Sequence, residues 1–148
     1  MDIRELSPPP WALIAPLVEA SRDEGFQFLV RFRDACLAGE RRFTAPGEAL
    51  LGAYEGQELK GICGLSHDPY GTEPGAGRIR HLYVLPAWRG KGIGRMLVAA
   101  IEKRARETFR ALVLRTDTDA AACFYVAMGY QATAPEVTTA SHRRSLEG

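Results

Sequence analysis

The amino-acid sequence predicts a single α/β (α+β) domain, a mixed and mostly antiparallel sheet with helices on both faces. Three observations carry this prediction. The chain has 148 residues, 46% hydrophobic and 25% charged, the size and composition of one domain that buries about 70% of its unfolded surface without staples. Its apolar residues switch between helical spacing and short strand-like runs. The resulting order of helices, hairpin, strand, helix, strand, helix, strand does not alternate as a doubly wound parallel sheet would.

Pro8-Pro9-Pro10 stops any earlier structure. Residues 11–20 then read as a helix with Trp11, Ile14, Leu17 and Val18 on one face, its first turn broken or offset by Pro16. Asp23 is placed to cap a second helix whose apolar side is Phe26, Leu29, Val30, Phe32 and Cys36, ending near Gly39. Runs at 49–54 and 59–65 flank Glu55-Gly56-Gln57-Glu58 and form a β-hairpin. A loop rich in glycine and proline starts at Asp68 and ends at Gly77, and residues 78–84 form a strand that Pro86 terminates. From Ile93, Met96, Leu97, Ala100, Ile101, Ala105 and Phe109 recur at helical spacing over about four turns. Residues 111–114 make a short buried strand and 120–128 a helix stopped by Gly129, with a last hairpin from Tyr130 and residues 138–146. No repeat, low-complexity tract or linker interrupts residues 1–148, so one domain is expected.

The three cysteines, Cys36, Cys63 and Cys123, are odd in number and widely spaced, which argues against a metal cluster or disulfide framework and for the cytoplasm. No apolar run approaches the ~18 residues of a membrane span, and the N-terminus lacks a signal peptide's pattern. A soluble protein without a membrane partner is expected. The net charge of +1, from 19 basic and 18 acidic residues, speaks against general nucleic-acid binding. That average conceals a local excess of +5 between Arg89 and Arg110.

The stretch from His81 to Leu97 carries the chemistry. A strand ends at Pro86, a turn with Gly90, Gly92 and Gly94 follows, and a helix opens inside that turn. Successive glycines let backbone N–H groups point into one concavity at the positive end of a helix dipole, which suits a phosphate. Arg89 and Lys91 add charge at the rim. The same glycines also fit a plain tight connection. A P-loop would need Gly-Lys-Ser/Thr, but Lys91 precedes Gly92; a dinucleotide fingerprint starting at Gly90 would need glycine where Arg95 stands.

Arg89, Gly92 and Gly94, with Leu82-Tyr83-Val84 before them and Phe124-Tyr125 and Gly129-Tyr130 after, resemble the GNAT superfamily of acetyl-CoA-dependent N-acetyltransferases over residues 78–131. The helix-helix-hairpin prelude has the family's order. This resemblance implies a GNAT-like sheet with a splayed central strand pair, acetyl-CoA (coenzyme A) as acyl donor, and no metal. It implies that the amides of Gly90, Lys91, Gly92, Ile93 and Gly94 hold the pyrophosphate, with Arg89 and Arg95 beside them. Leu82, Tyr83 and Val84 would line the pantetheine arm, the Leu82 amide polarising the thioester carbonyl. Tyr125 takes the place of the tyrosine that protonates the departing thiolate, next to Phe124; from packing alone this aromatic pair reads first as core, and only the resemblance reverses that order. Thr118 stands where many relatives carry asparagine, which weakens the expected coenzyme contact there. Cys123 needs no catalytic role and reads as a small core residue.

The acceptor amine must lose a proton, and Glu24, His81, Asp68 and Asp117 are the candidate bases. Glu24 lies between the first two helices, part of the family's acceptor region, but also fits an exposed acid at a helix start. His81 has a suitable ordinary pKa of ~6.5, yet strand alternation points it away from Leu82 unless a bulge intervenes. Arg78 and Arg80 share the Leu82 face by that count, ready for an acceptor carboxylate or for acids in a loop. Tyr70 belongs to the loop before the strand, and His142, Arg143 and Arg144 read as solvent-facing. The acceptor expected is a small-molecule primary amine. The alternatives are a noncatalytic acyl-CoA-binding regulatory module and a protein or peptide N-acetyltransferase; a homodimer is common in the family without a signature here. Arg89, Lys91 and Arg95 are assigned to the turn, and Lys103, Arg104, Arg106 and Arg110 to a solvated helix face.

Overall fold

A computed structural model describes residues 1–147. In chain order the elements are β1 (Asp2–Glu5), α1 (Trp11–Asp23), α2 (Phe28–Leu37), β2 (Ala49–Glu55), β3 (Glu58–His67) and β4 (Ala76–Val84), then α3 (Ile93–Ala105), β5 (Ala111–Leu114), α4 (Asp119–Ala127), β6 (Gln131–Ala132) and β7 (His142–Ser145). The strands form one sheet in the order β1-β2-β3-β4-β5-β7-β6. Every neighbouring pair is antiparallel except β4 with β5. This is the mixed, mostly antiparallel sheet expected.

Helices cover both faces, which is why β2 is buried at six successive positions instead of alternating. Leu51 and Ala53 join Cys63, Leu65, Ile79, Leu97, Ile101 and Tyr125 in the core under α3 and α4. Leu50 and Tyr54 join Ile14, Leu17, Phe32, Ile62 and Tyr83 in the core under α1 and α2. Side chains as fully buried as Leu17, Leu97 and Ile101 each contribute about 1.5–3 kcal/mol by leaving water.

Several local expectations change. Residues 2–5 pair with β2 as an edge strand despite the prolines that follow; a strand that short and polar is ordered by its neighbour, not by its own pattern. Pro16 sits inside α1 without ending it, since the buried face of Ile14, Leu17 and Val18 holds the helix on the sheet. Asp23 is the last residue of α1, not the cap of α2. Gly25, at φ +88°, lets the Phe26 N–H turn back to the Ser21 carbonyl, which closes α1 and moves the start of α2 to Phe28. Cys123 is exposed, because it lies two residues from the buried Tyr125 and so on another face of α4. His142 is buried and within 2.9 Å of the Ser141 hydroxyl, since β7 is an inner strand between β5 and β6. No helix among the described residues is long and apolar enough to cross a membrane.

Candidate active site

The site is built where β4 loses its neighbour. Parallel pairing with β5 involves only Ala76, Gly77 and Arg78 of β4, so residues 79–84 have no strand on that side. The strand leads through a 3-10 turn at Pro86–Trp88 into Gly90 and Gly92, at φ +77° and +81°. A Cβ at either glycine would meet nothing within 4 Å. Their requirement is therefore conformational, not steric, and the space above them is open. Gly92 is the N-cap of α3 and brings no side chain to cap it; the first helical bond runs from Met96 N–H to the Gly92 carbonyl. The amides of Ile93, Gly94 and Arg95 thus have no helical acceptor. Gly94 is different, because a Cβ there would rest at 3.5 Å from the Phe124 ring. Lys91 and Arg95 are exposed beside this turn, and the Lys91 ammonium lies 5.8 Å from the Trp88 ring centre.

Residues farther along α3 serve other ends. Arg104 pairs with Glu5 and Arg110, past the helix, with Glu147. On the buried side, Glu102 accepts from the Tyr130 hydroxyl and from Arg144, both at 2.8 Å. This tie between α3, the end of α4 and β7 has no local sequence signal.

A bulge organises β4. Ile62 faces Tyr83 and Gly64 faces Arg80, so His81 and Leu82 together oppose Cys63, with His81 at φ +59°. The extra residue changes the alternation. Ile79, Leu82 and Val84 pack on the α3 side, whereas Tyr83 packs on the α1 side. Arg78 and Arg80 therefore do not share the Leu82 face as unbroken alternation predicts.

His81 is stacked 5.0 Å from the Phe32 ring and 6.1 Å from Phe28, with Phe43 edge-on at 5.8 Å. Its Nε2 is buried without a partner. Burial, then the charges of Arg80 and Arg42, push its pKa down to about 3. It is enclosed away from Leu82, and its environment opposes the protonated form a base must reach.

Glu24 is engaged elsewhere as well. Its carboxylate accepts from both terminal nitrogens of Arg89, at 2.6 and 2.8 Å, and from the Tyr83 hydroxyl. The Arg89 hydrogen bonds hold its pKa below the ordinary carboxylate value, against a smaller opposing effect of burial. Arg89 also donates from Nε to the Val84 carbonyl at 3.0 Å. The guanidinium is thus folded back toward α1, not out over the glycines, and the Val84 carbonyl has a partner of its own.

Tyr125 sits on the α3 side, with the rings of Phe124 at 5.1 Å and Tyr130 at 5.4 Å. Burial raises its pKa well above the usual 10, so its hydroxyl carries a proton at neutral pH. The hydroxyl makes no hydrogen bond among the described residues, yet it is not sealed, since His81 Nε2 is the one buried side-chain polar atom there that lacks a partner. Thr118 caps α4 by accepting from the Ala121 N–H at 3.2 Å. Asp117 is exposed. Asp68 is committed to the loop, taking bonds from the Thr72 and Tyr70 amides and from Arg78.

A parted parallel strand pair, a bulged strand and an uncapped glycine-opened helix fit coenzyme A, and the sequence across these elements matches the acetyltransferase (GNAT) domain over residues 46–132. The chain belongs to the GNAT acetyltransferase family. Within the family, this GNAT domain is 35% identical over 94 residues to the N-alpha-acetyltransferase RimI of Mycobacterium tuberculosis, a match spanning 64% of this chain and 59% of that relative. A crystallised protein of Exiguobacterium sp. 255-15, described as an acetyltransferase, is 30% identical, with a TM-score of 0.77 covering 98% of this chain and 94% of the other. An aminoglycoside 6'-N-acetyltransferase crystallised with coenzyme A shares the fold at 18% identity, with a TM-score of 0.70 and coverage of 100% and 98%. The GNAT resemblance read from the glycine turn together with Leu82-Tyr83-Val84, Phe124-Tyr125 and Gly129-Tyr130, and the fold it implied, are both correct.

Proposed function

We propose that this protein is an acetyl-CoA-dependent N-acetyltransferase that transfers an acetyl group directly to the primary amine of a small molecule. The observation that carries this reading is the unpaired edge of β4 running straight into the open, uncapped start of α3. Acetyl-CoA supplies the acyl group as an activated thioester. The amides from Gly90 to Gly94 would hold its pyrophosphate, with Lys91 and Arg95 adding positive charge. Leu82, Tyr83 and Val84 would line the pantetheine arm beside Phe124, with Thr118 capping the start of the same helix, α4. The Leu82 amide would polarise the acyl carbonyl, and a fixed donor does so at little reorganisation cost. The Tyr125 hydroxyl, unengaged and kept protonated by burial, would give its proton to the leaving sulfur. With Glu24 bound to Arg89 and His81 enclosed by phenylalanines, the acceptor loses its proton to water.

A second reading, transfer to a protein or peptide N-terminus, is favoured by the identity to RimI. Thiol release from acetyl-CoA, measured with small amines, aminoglycosides and short peptides, separates these readings. Acceleration by small amines supports the first, and acceleration by peptides alone the second. Tight coenzyme binding with no acceleration by any amine overturns both and leaves a noncatalytic acyl-CoA-binding module.

A further inference from the structure

Two arginine–carboxylate pairs, Arg78 with Asp68 and Arg42 with Glu40, lie close enough to Arg80 for charges of both to act on it. Arg78 bonds Asp68 at 3.1 Å and the Thr139 carbonyl at 2.6 Å, and both charged side chains of that pair are almost fully buried. Arg42 pairs with Glu40 at 2.8 Å. Arg80 lies in the field of Arg42, Arg78 and Glu40, but it makes no hydrogen bond or ion pair among the described residues. It is half-buried, so its charge is partly desolvated, and Tyr70 and Glu40 offset that cost only through space, without a hydrogen bond. None of its nitrogens is sealed from solvent without a partner, which leaves the guanidinium open to an incoming group. The local balance is one uncompensated positive charge, and it rests on Arg80.

The position of that charge along β4 gives it a meaning, on the reading of the site proposed above. Counting back from the glycine turn, Val84 and Leu82 come first on the unpaired edge and Arg80 follows two residues beyond Leu82. Two residues of regular strand span about 7 Å, and the bulge at His81 shortens that step, so Arg80 lies within that distance of the amide assigned to the acyl carbonyl. The bulge at His81 turns Arg80 to the sheet face opposite the one on which Leu82 and Val84 pack. A group held there is on the sheet face opposite α3, whose start is assigned to the coenzyme's pyrophosphate, and that face is where an acceptor would stand.

We infer that Arg80 is a specificity-determining residue that receives a carboxylate of the acceptor, so that the substrate is an amine bearing a carboxylate a few bonds from its nitrogen. A guanidinium offers two parallel N–H donors to such a group, and a neutral amine leaves it unpaired.

The test compares α-amino acids with their carboxamides and with the corresponding decarboxylated amines as acceptors, by thiol release from acetyl-CoA, at a pH where each amine is equally deprotonated. The expected result is a higher kcat/KM for the carboxylates. Arg80→Gln should lower it roughly ten- to hundredfold for the carboxylate, mainly through KM, and at least tenfold less for the amide. Arg80→Lys should restore part of the loss. Coenzyme A affinity, measured by calorimetry on each variant, reports whether the fold and turn are intact. Equal losses for both acceptors, or preference for the amide or the decarboxylated amine in the unaltered protein, overturn the role of Arg80 while leaving the acetyltransferase reading in place. Absence of acceleration by every acceptor overturns both.

Discussion

Glu24 grips the guanidinium of Arg89 through both carboxylate oxygens, at 2.6 and 2.8 Å, across 65 residues of sequence. This bond fastens the end of α1 to the entrance of the glycine turn. Both side chains retain solvent contact, so the pair adds no more than about 1 kcal/mol to stability. The carboxylate neutralises a cation at the entrance of the glycine turn and holds it folded back toward α1, away from the site assigned to the phosphates. Glu24→Gln should therefore tighten coenzyme A binding a few-fold by calorimetry; weaker binding would mean that Glu24 positions Arg89 for the coenzyme. Because the pKa of Glu24 is depressed below its ordinary 4.5, its stabilisation is complete above that value and fades as the pH falls through the depressed one. Urea midpoints of the variant and the parent should converge only in that acid range.

Tyr125 gives a kinetic prediction. Tyr125→Phe keeps the ring that packs between Phe124 and Tyr130 and removes the hydroxyl proposed to protonate the leaving sulfur. A fall of about 10²-fold in kcat is expected, with the KM for acetyl-CoA unchanged. In the parent protein the pKa of this hydroxyl lies well above 10. The rate should accordingly rise from pH 7 toward 10 as the acceptor amine deprotonates, with no loss from ionisation of Tyr125. A tyrosine that only packs would leave kcat within a few-fold.

The glycines of the turn should respond unequally to alanine. At Gly92, with φ +81°, an alanine is strained by about 1–2 kcal/mol, and thermal unfolding should show the loss together with weaker coenzyme binding. At Gly94 the added methyl would sit at an ordinary 3.5 Å from Phe124. Gly94→Ala should melt and bind close to the parent protein.

His81 sets a pH dependence of folding. Its pKa falls from 6.5 to about 3 in the folded chain, so between those values the unfolded state binds the extra proton. Stability contributed by the neutral ring is complete above 6.5 and declines as the pH drops toward 3, by at most about 1.4 kcal/mol per pH unit. His81→Phe should flatten this slope in urea titrations at pH 4 to 8. The strain of the positive φ at that position comes from the Cβ that histidine and phenylalanine share, so the slope is the readout. An unchanged slope would place the acid sensitivity elsewhere.

Much of this protein is determined by residues that act on their near neighbours. Gly90 and Gly92 dictate the turn because their φ values are ones that few other residues accept. The apolar spacing from Ile93 makes α3 follow at once, and Phe124-Tyr125 ride on a helix that Thr118 caps locally. These short-range facts were legible, and with them the GNAT family. The partners of charged and polar groups were not legible, because they come from segments far apart in sequence. Glu24 and Arg89, Glu102 with Tyr130 and Arg144, and Arg78 with Asp68 meet only when the sheet brings their elements together. The bulge at His81 is the clearest case. One additional residue opposite Cys63 reverses which face Arg80 presents, and strand alternation, exact to one residue, carries no sign of it. Tertiary structure alone decided which arginine was left without a carboxylate, since that depends on every partner the other two had already found.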